Sequence, residues 1–376
     1  MASLEERFAR LGVQVPEVML PAEGIDMQRW SVVACDQYSS EPEYWEEVKS
    51  FAGQHPSTLN MIFPECYLED ADKKERVGRI QSAMREYLGQ GIVQNAGKGF
   101  VLVERYTPFE KHPRKGLIFA LDLEAYQFGQ NVTSLVRPTE GTIVERLPPR
   151  MEIRRGAPLE LPHIMLLIND PDRTVIEPLY KKMGAFKTLY DFELMQKAGH
   201  IKAVHIQDEA SLGQVADALE RLADATSYKQ RYGSGDVLLF AVGDGNHSLA
   251  TAKSVWEEIK AANKDNPDIM RHPARHALVE LVNIYDEGLP FHPIHRVLFK
   301  ADRALLEKAL VAAGASIESM DVKSAIQLAD EAGTSEHRFA YMHREGAALV
   351  RFAKPQAALA RSEERRVGKE CRSWWS

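Results

Sequence analysis

The chain has little cysteine, three residues in 376, and nothing in their placement repeats a metal-binding or disulfide spacing. That excludes a disulfide framework and fits a reducing compartment. No run reaches about 18 apolar residues, so no membrane-crossing helix is expected. The start, Met1-Ala2-Ser3-Leu4-Glu5-Glu6, lacks the basic and apolar blocks of a secretory signal, and a cytoplasmic location is expected. Positive charge is also short. Lys and Arg number 47 against 54 Asp and Glu, for a formal net charge of −7. This balance argues against a general nucleic-acid binder and leaves a small molecule as the expected partner.

What is present is ordinary for a globular chain. Hydrophobic residues make up 44% and charged residues 27%, enough for a sizeable core in two or three domains. The last 16 residues, Arg361 to Ser376, stand apart. They hold Cys371, Trp374 and Trp375, and five basic residues against three acidic ones. Their Arg-rich string resembles the conceptual translation of a sequencing adapter, so residues 361–376 are expected to be foreign to the fold, which would leave the native C-terminus missing. A natural basic tail is the alternative. Without them the chain carries 42 basic and 51 acidic residues, a net of −9.

Strand and helix patterns interleave, which predicts an α/β or α+β fold of mixed sheets with interleaved helices. Trp30 to Cys35, Phe100 to Arg105, Leu117 to Ala125, His163 to Ile168, Ile201 to Ile206, Val237 to Val242 and Ala277 to Ile284 read as strands. Asp70 to Leu88, Leu179 to Phe192, Ser211 to Tyr228 and Ser248 to Ala262 read as helices. Arg137 to Arg155 is turn-rich and charged, a candidate site loop. The expected division is an N-terminal domain over 1–135, a central domain over 136–300, and C-terminal helices and a hairpin over 301–360.

The most informative segment is Val237 to Ser248. An apolar strand runs into Gly243-Asp244-Gly245-Asn246, and a helix follows. Gly243 and Gly245 permit positive φ and a close ligand approach. Free N–H groups at the helix start, around Asn246 and Ser248, would favour a phosphate or carboxylate. Asp244 could hold a metal or take a proton, and His247 could do either. The bland alternative is that Asn246 or Ser248 caps the helix and Asp244 makes an Asx turn.

Three further segments are candidates. Arg137, Glu140 and Thr142 lie in the charged stretch, where an arginine fork could hold phosphate. Arg146, Arg150, Arg154 and Arg155 read instead as surface ion pairs. His292, His295 and Arg296 lie beside Pro290 and Pro293, which make a helix unsuitable there, so a loop bringing His295 and Arg296 toward Asp244 is expected. Asp36, Gln37 and Tyr38 follow the Trp30–Cys35 run and offer another strand-end ligand set, or simply a helix cap. Gly91 to Gly99 is no phosphate loop: its spacing is wrong, and Gly99 stands where a Ser or Thr is needed. Cys35 and Cys66 read as small buried hydrophobes.

Asp244-Gly245-Asn246-His247-Ser248, followed by Leu249-Ala250-Thr251-Ala252, resembles the Asp-Gly-His-His-Arg signature of the domain-of-unknown-function 1015 family. Arg137 to Thr142, His163 to Asp172 and Pro290 to Arg296 are similar to other segments of that family, and the resemblance runs from about residue 25 to about 355. The chain departs from the signature where Asn246 and Ser248 stand for His and Arg, so one phosphate-clamping Arg is missing. The same motif is similar to a turn in ParB-like proteins, some of which bind or hydrolyse nucleotides and some of which phosphorylate free serine. By that analogy phosphoryl transfer to a small hydroxy compound is expected, with a nucleotide and a divalent metal as cofactors; the residue types suit Asp244, His247 and Glu140 to catalysis and Arg137 and Arg296 to holding phosphate. A metal-dependent hydrolase using Asp244, His247, His295 and Glu140, or a non-catalytic nucleotide sensor, are the rival expectations.

Overall fold

Short apolar runs cannot each bury both faces alone, and in the molecule six of the seven share one sheet. The computed structural model describes residues 2–129, 132–161, 163–233, 235–290, 297–331 and 336–354. Described residues up to Pro290 form one compact unit, and those of 297–354 form a second.

The first unit contains β1 (Val13–Gln14), β2 (Glu17–Pro21), β3 (Val93–Lys98), β4 (Phe100–Tyr106), β5 (Arg114–Asp122), β6 (Val136–Pro138), β7 (Ile164–Ile168), β8 (Lys187–Glu193), β9 (His200–Ile206), β10 (Phe240–Asp244) and β11 (His276–Asn283). β2 pairs with β3 alone. The others form a mixed sheet in the order β6-β10-β7-β11-β5-β4-β9-β8, with β1 added to β5. β10 runs parallel to β6 and antiparallel to β7, and β11 runs parallel to β7 and antiparallel to β5. The α/β expectation holds. The division expected at residue 135 does not appear, because strands from both sides of it share this sheet, and residues 297–300 already belong to the second unit.

One face of the sheet carries the main core. Leu102, Leu117, Phe119, Leu166 and Phe240 meet helices through Phe8, Leu219, Leu249 and Trp256. The helix Asn246–Ala262 earns its place by spacing: Leu249, Ala252, Val255 and Trp256 recur on one face and are buried. Trp256 also donates Nε1–H to Glu124 Oε1 at 2.5 Å, so its one polar atom is satisfied. The other face has a smaller apolar cluster of Val101, Val103 and Ala203, packed with Ile118, Leu189 and Tyr190. Residues 25–92 add two local cores, one around Trp30, Met84 and Tyr87 and one around Trp45 and Val48.

Three expectations are corrected. Trp30 to Cys35 forms no strand. Trp30 closes a short helix, Met27–Trp30, and the next backbone groups are met by side chains, as when Val32 N–H donates to Thr58 Oγ1 at 3.2 Å. Leu179 to Phe192 is not a helix. Its apolar spacing imitates one, but Thr188, Tyr190 and Phe192 suit a strand, and pairing with β9 decides for β8. Ser211 to Tyr228 is two helices, Glu209–Leu222 and Ala225–Tyr232, because Asp224 accepts from Ser227 N–H at 2.8 Å and starts the second.

The second unit has β12 (Ala315–Met320), β13 (His337–His343) and β14 (Gly346–Phe352), antiparallel in the order β12-β14-β13, beside helices Arg303–Ala312 and Val322–Asp330. The expected hairpin with a turn at Glu345-Gly346 is present. Among the described residues no helix is long and apolar enough to cross a membrane.

Trp256 is fully buried and bridges helix and sheet. Its replacement by Ala is expected to lower unfolding free energy by about 3–5 kcal/mol, measured by urea denaturation with an unchanged slope.

Candidate functional site

The end of β10 turns sharply into the helix Asn246–Ala262. The two glycines of the turn serve different ends. Gly245 is the residue before the helix and has φ 75°, a left-handed conformation that suits Gly. Gly243 does not need positive φ. A Cβ there would lie 2.7 Å from Leu167 Cγ, so it is small because β7 packs against it. Asp244 Oδ1 accepts from Gly245 N–H at 2.7 Å, and no side chain caps the helix. The bland expectation that Asn246 or Ser248 acts as the cap is therefore not met. The first-turn N–H groups and the helix dipole remain directed at the Asp244 turn.

Several sequence candidates converge here. Asn246 is buried and donates Nδ2–H to Glu140 Oε1 at 3.4 Å, while its Oδ1 is buried with no partner. Thr139 Oγ1–H donates to Val242 O at 2.6 Å and anchors the Glu140 segment to β10. His247 Nε2 accepts from Ile143 N–H at 3.4 Å. Ser248 Oγ lies 2.7 Å from His163 Nε2 at the start of β7. Thr142 Oγ1 is buried in the same segment, near the Tyr126 hydroxyl.

Asp36 comes to this turn from the N-terminal part of the unit. Asp244 is reached by solvent, yet surrounding protein desolvates its carboxyl and pushes it above the ordinary aspartate range. The Asp36 charge pushes the same way, and His163 and Arg114 oppose it. Asp36 Oδ1 is buried and without a partner. Its segment is a turn, not a strand end: Gln37 O accepts from Trp45 Nε1–H at 3.2 Å, and Tyr38, with φ 51°, stacks on Tyr44 at 3.8 Å. The segment is braced by Glu65, whose N–H donates to Cys35 O at 2.8 Å and whose carboxylate takes a two-point contact from Arg150 at 2.9 and 2.6 Å. Burial pushes the Cys35 thiol up to about 12, which keeps it protonated and fits a packing role.

Other candidates lie elsewhere. Arg137 pairs in register with Ala241, three positions before Asp244, and its guanidinium donates to Ser134 O, Asp236 O and Val237 O at 2.7–2.9 Å. It staples the beginning of β10 and does not meet the Asp244 turn. His292, His295 and Arg296 lie outside the described residues, as does the 361–376 tail. Among the described residues no group of three or more His, Cys, Asp and Glu is arranged to hold a metal. Two carboxylates are near enough to interact, since the Asp36 charge acts on Asp244. A magnesium ion held largely by water and substrate phosphates needs no more. A cleft of about 1270 Å³ opens at the other end of β7 and β10, beside Asn169, Tyr228 and Tyr232, and does not include the Asp244 turn.

Sequence reasoning missed His163, Arg114 and Glu280. The available signal was Gly116, an isolated glycine inside an apolar strand, which marks a close approach.

Asp244 binds its proton more tightly in the folded chain than in the unfolded one, so its ionisation costs stability as pH rises above about 3.9, the unfolded aspartate value. Asp244→Asn is therefore expected to match the wild type in melting temperature near pH 4 and to exceed it near pH 7. A variant that melts lower at pH 7 than the wild type would contradict the origin given for the shift.

A family model described as "Protein of unknown function (DUF1015)" matches residues 19–369. No curated protein and no solved structure matches the chain.

Proposed function

The chain belongs to the DUF1015 family, and from the geometry of the Asp244 turn we propose that it is a phosphotransferase acting on a small hydroxy compound, with a nucleotide as donor. The observation that carries this reading is the uncapped helix start at the Asp244 turn, where the charge of a second carboxylate, Asp36, also acts. The two acids attract a divalent cation, and the helix N–H groups attract an oxyanion. A metal–nucleotide complex brings both together.

The roles follow from the contacts. Asp36 and Asp244 would hold the cation that accompanies the phosphates. The backbone at Asn246 to Ser248 would receive phosphate oxygens. Glu140 is exposed and oriented by Asn246, which suits it to take the proton of the acceptor hydroxyl. His247 orients the 140–143 segment through Ile143 N–H. Phosphoryl transfer asks mainly for positioning and charge stabilisation, and these groups supply both. The negative formal charge of the chain fits a small-molecule substrate better than a nucleic acid.

One observation favours a second reading. Ser248 stands where the family signature has Arg, and it is engaged by His163. With one fewer cation for phosphate, a non-catalytic nucleotide sensor would show ligand-dependent melting without turnover.

Purified protein incubated with magnesium, ATP or ADP, and a panel of hydroxy amino acids including serine is expected to consume nucleotide and form a phosphorylated product. Chelation is expected to stop the reaction, and Glu140→Gln to slow it by at least about 100-fold. Ligand-dependent melting with no product across the panel would replace the enzyme with the sensor.

A further inference from the structure

The sheet places a second group of charges on the same face as Asp244. Asp244 pairs with Met165 on β7, and Met165 pairs with Glu280 on β11. Residues directly opposite one another share a face, so Asp244 and Glu280 lie in one row, two strands apart, or about 10 Å. Glu280 lies over Gly116 of β5. A Cβ on Gly116 would meet its Oε1, so Gly is required for the carboxylate to lie flat there. That carboxylate receives two contacts from Arg114, Nε to Oε1 at 3.1 Å and Nη2 to Oε2 at 3.0 Å.

Arg114 is in turn directly opposite Arg105 on β4. Arg105 donates to the carbonyls of Tyr106, His200 and Ala198 and contacts no carboxylate among the described residues. Two arginines opposed in register repel each other, and Glu280 neutralises one of them. The pair keeps an excess of one positive charge. Side chains of Arg114 and Glu280 retain 26% and 19% of their exposure, so solvent reaches the cluster. The three carbonyls hold Arg105 in place, but none of them neutralises the excess charge. Binding an oxyanion does.

We propose that Arg114, oriented by Glu280 and backed by the positive charge of Arg105, forms an oxyanion subsite that holds the phosphate or carboxylate of a substrate whose reacting end lies at Asp244. The inference rests on the reading of the Asp244 turn as a site. It adds that the substrate carries its own anionic group, remote from the two aspartates that hold the cation. Like charges are thus kept apart on one sheet face: the row of Asp244 and Glu280 continues through Ile118 and Val101, and the arginines stand four residues farther along β5 and β4. It also supplies the arginine that the Arg137 expectation sought and that Ser248 does not provide.

The test is thermal melting of the whole protein against inorganic phosphate and, separately, malonate, at ionic strength held constant with chloride. Wild type and Asp244→Asn are both expected to be stabilised by phosphate, malonate or both, and the effective anion shows which group the subsite takes. The double variant Arg114→Gln with Glu280→Gln removes the fork without leaving an unpaired carboxylate. It is expected to raise the half-saturating anion concentration at least about tenfold. Arg114→Lys keeps the charge beside Glu280 and loses the two-point geometry, so it is expected to weaken anion binding several-fold even if the double variant does not fold. Stabilisation by neither anion, or stabilisation that persists unchanged in the folded variants, overturns the subsite. Arg114-dependent anion binding without turnover on any nucleotide would instead leave the subsite standing and remove phosphoryl transfer.

Discussion

Burial of the helix Asn246–Ala262 against the mixed sheet is the constraint on which the rest of the first unit depends. Trp256, Leu249 and Ala252 fix its rotation, and the rotation fixes where its first turn points. A helix rises about 1.5 Å per residue, so Trp256 sets the position of Asn246 from about 15 Å away. Gly243 and Leu167 fix the other side of the turn. Asp244 is thereby held between two packed elements and cannot relax away from the Asp36 charge that opposes its ionisation. The local cost of that arrangement is met by the core behind it.

The charges divide along the sheet in a way that no short segment could reveal. Asp36 and Asp244 gather near β10, and Arg105 and Arg114 near the β4–β5 pair. Glu280 and His163 lie between or beside them and moderate both groups. Each pair would be unfavourable alone, and each becomes useful when a ligand of opposite sign is present. Arg150 and Glu65 belong to a different category. Their two-point contact closes on itself and braces the Cys35–Tyr38 turn.

Much of the fold was legible because apolar runs are local signals. Val237 to Val242 and Ala277 to Ile284 announce buried strands, and the spacing of Leu249, Ala252 and Trp256 announces the helix. The Asp244 turn was legible too, because Gly, Asp and Asn at a strand–helix junction carry specific backbone demands. β8 was not legible, since its strand character comes from pairing with β9 and not from its own pattern. Arg137 misled for a related reason. An arginine in a charged loop looks available, and only the three carbonyls around it show that it is spent on holding β10. Arg114 and Arg105 were invisible as a pair because register, not sequence distance, sets them opposite each other.

The strand order has a consequence for how the chain is made. β11 is the last strand of the first unit in sequence, yet it lies between β7 and β5. Until residues 276–283 leave the ribosome, the apolar edges of β5 and β7 have no partner from this chain. Their pairing then joins segments more than 100 residues apart, a slow kind of closure. Nascent chains halted before that point would expose two unprotected strand edges at once, the form in which a sheet recruits other chains. Folding of this unit is thus gated by the arrival of one late strand at its centre, and chaperone demand should peak just before it.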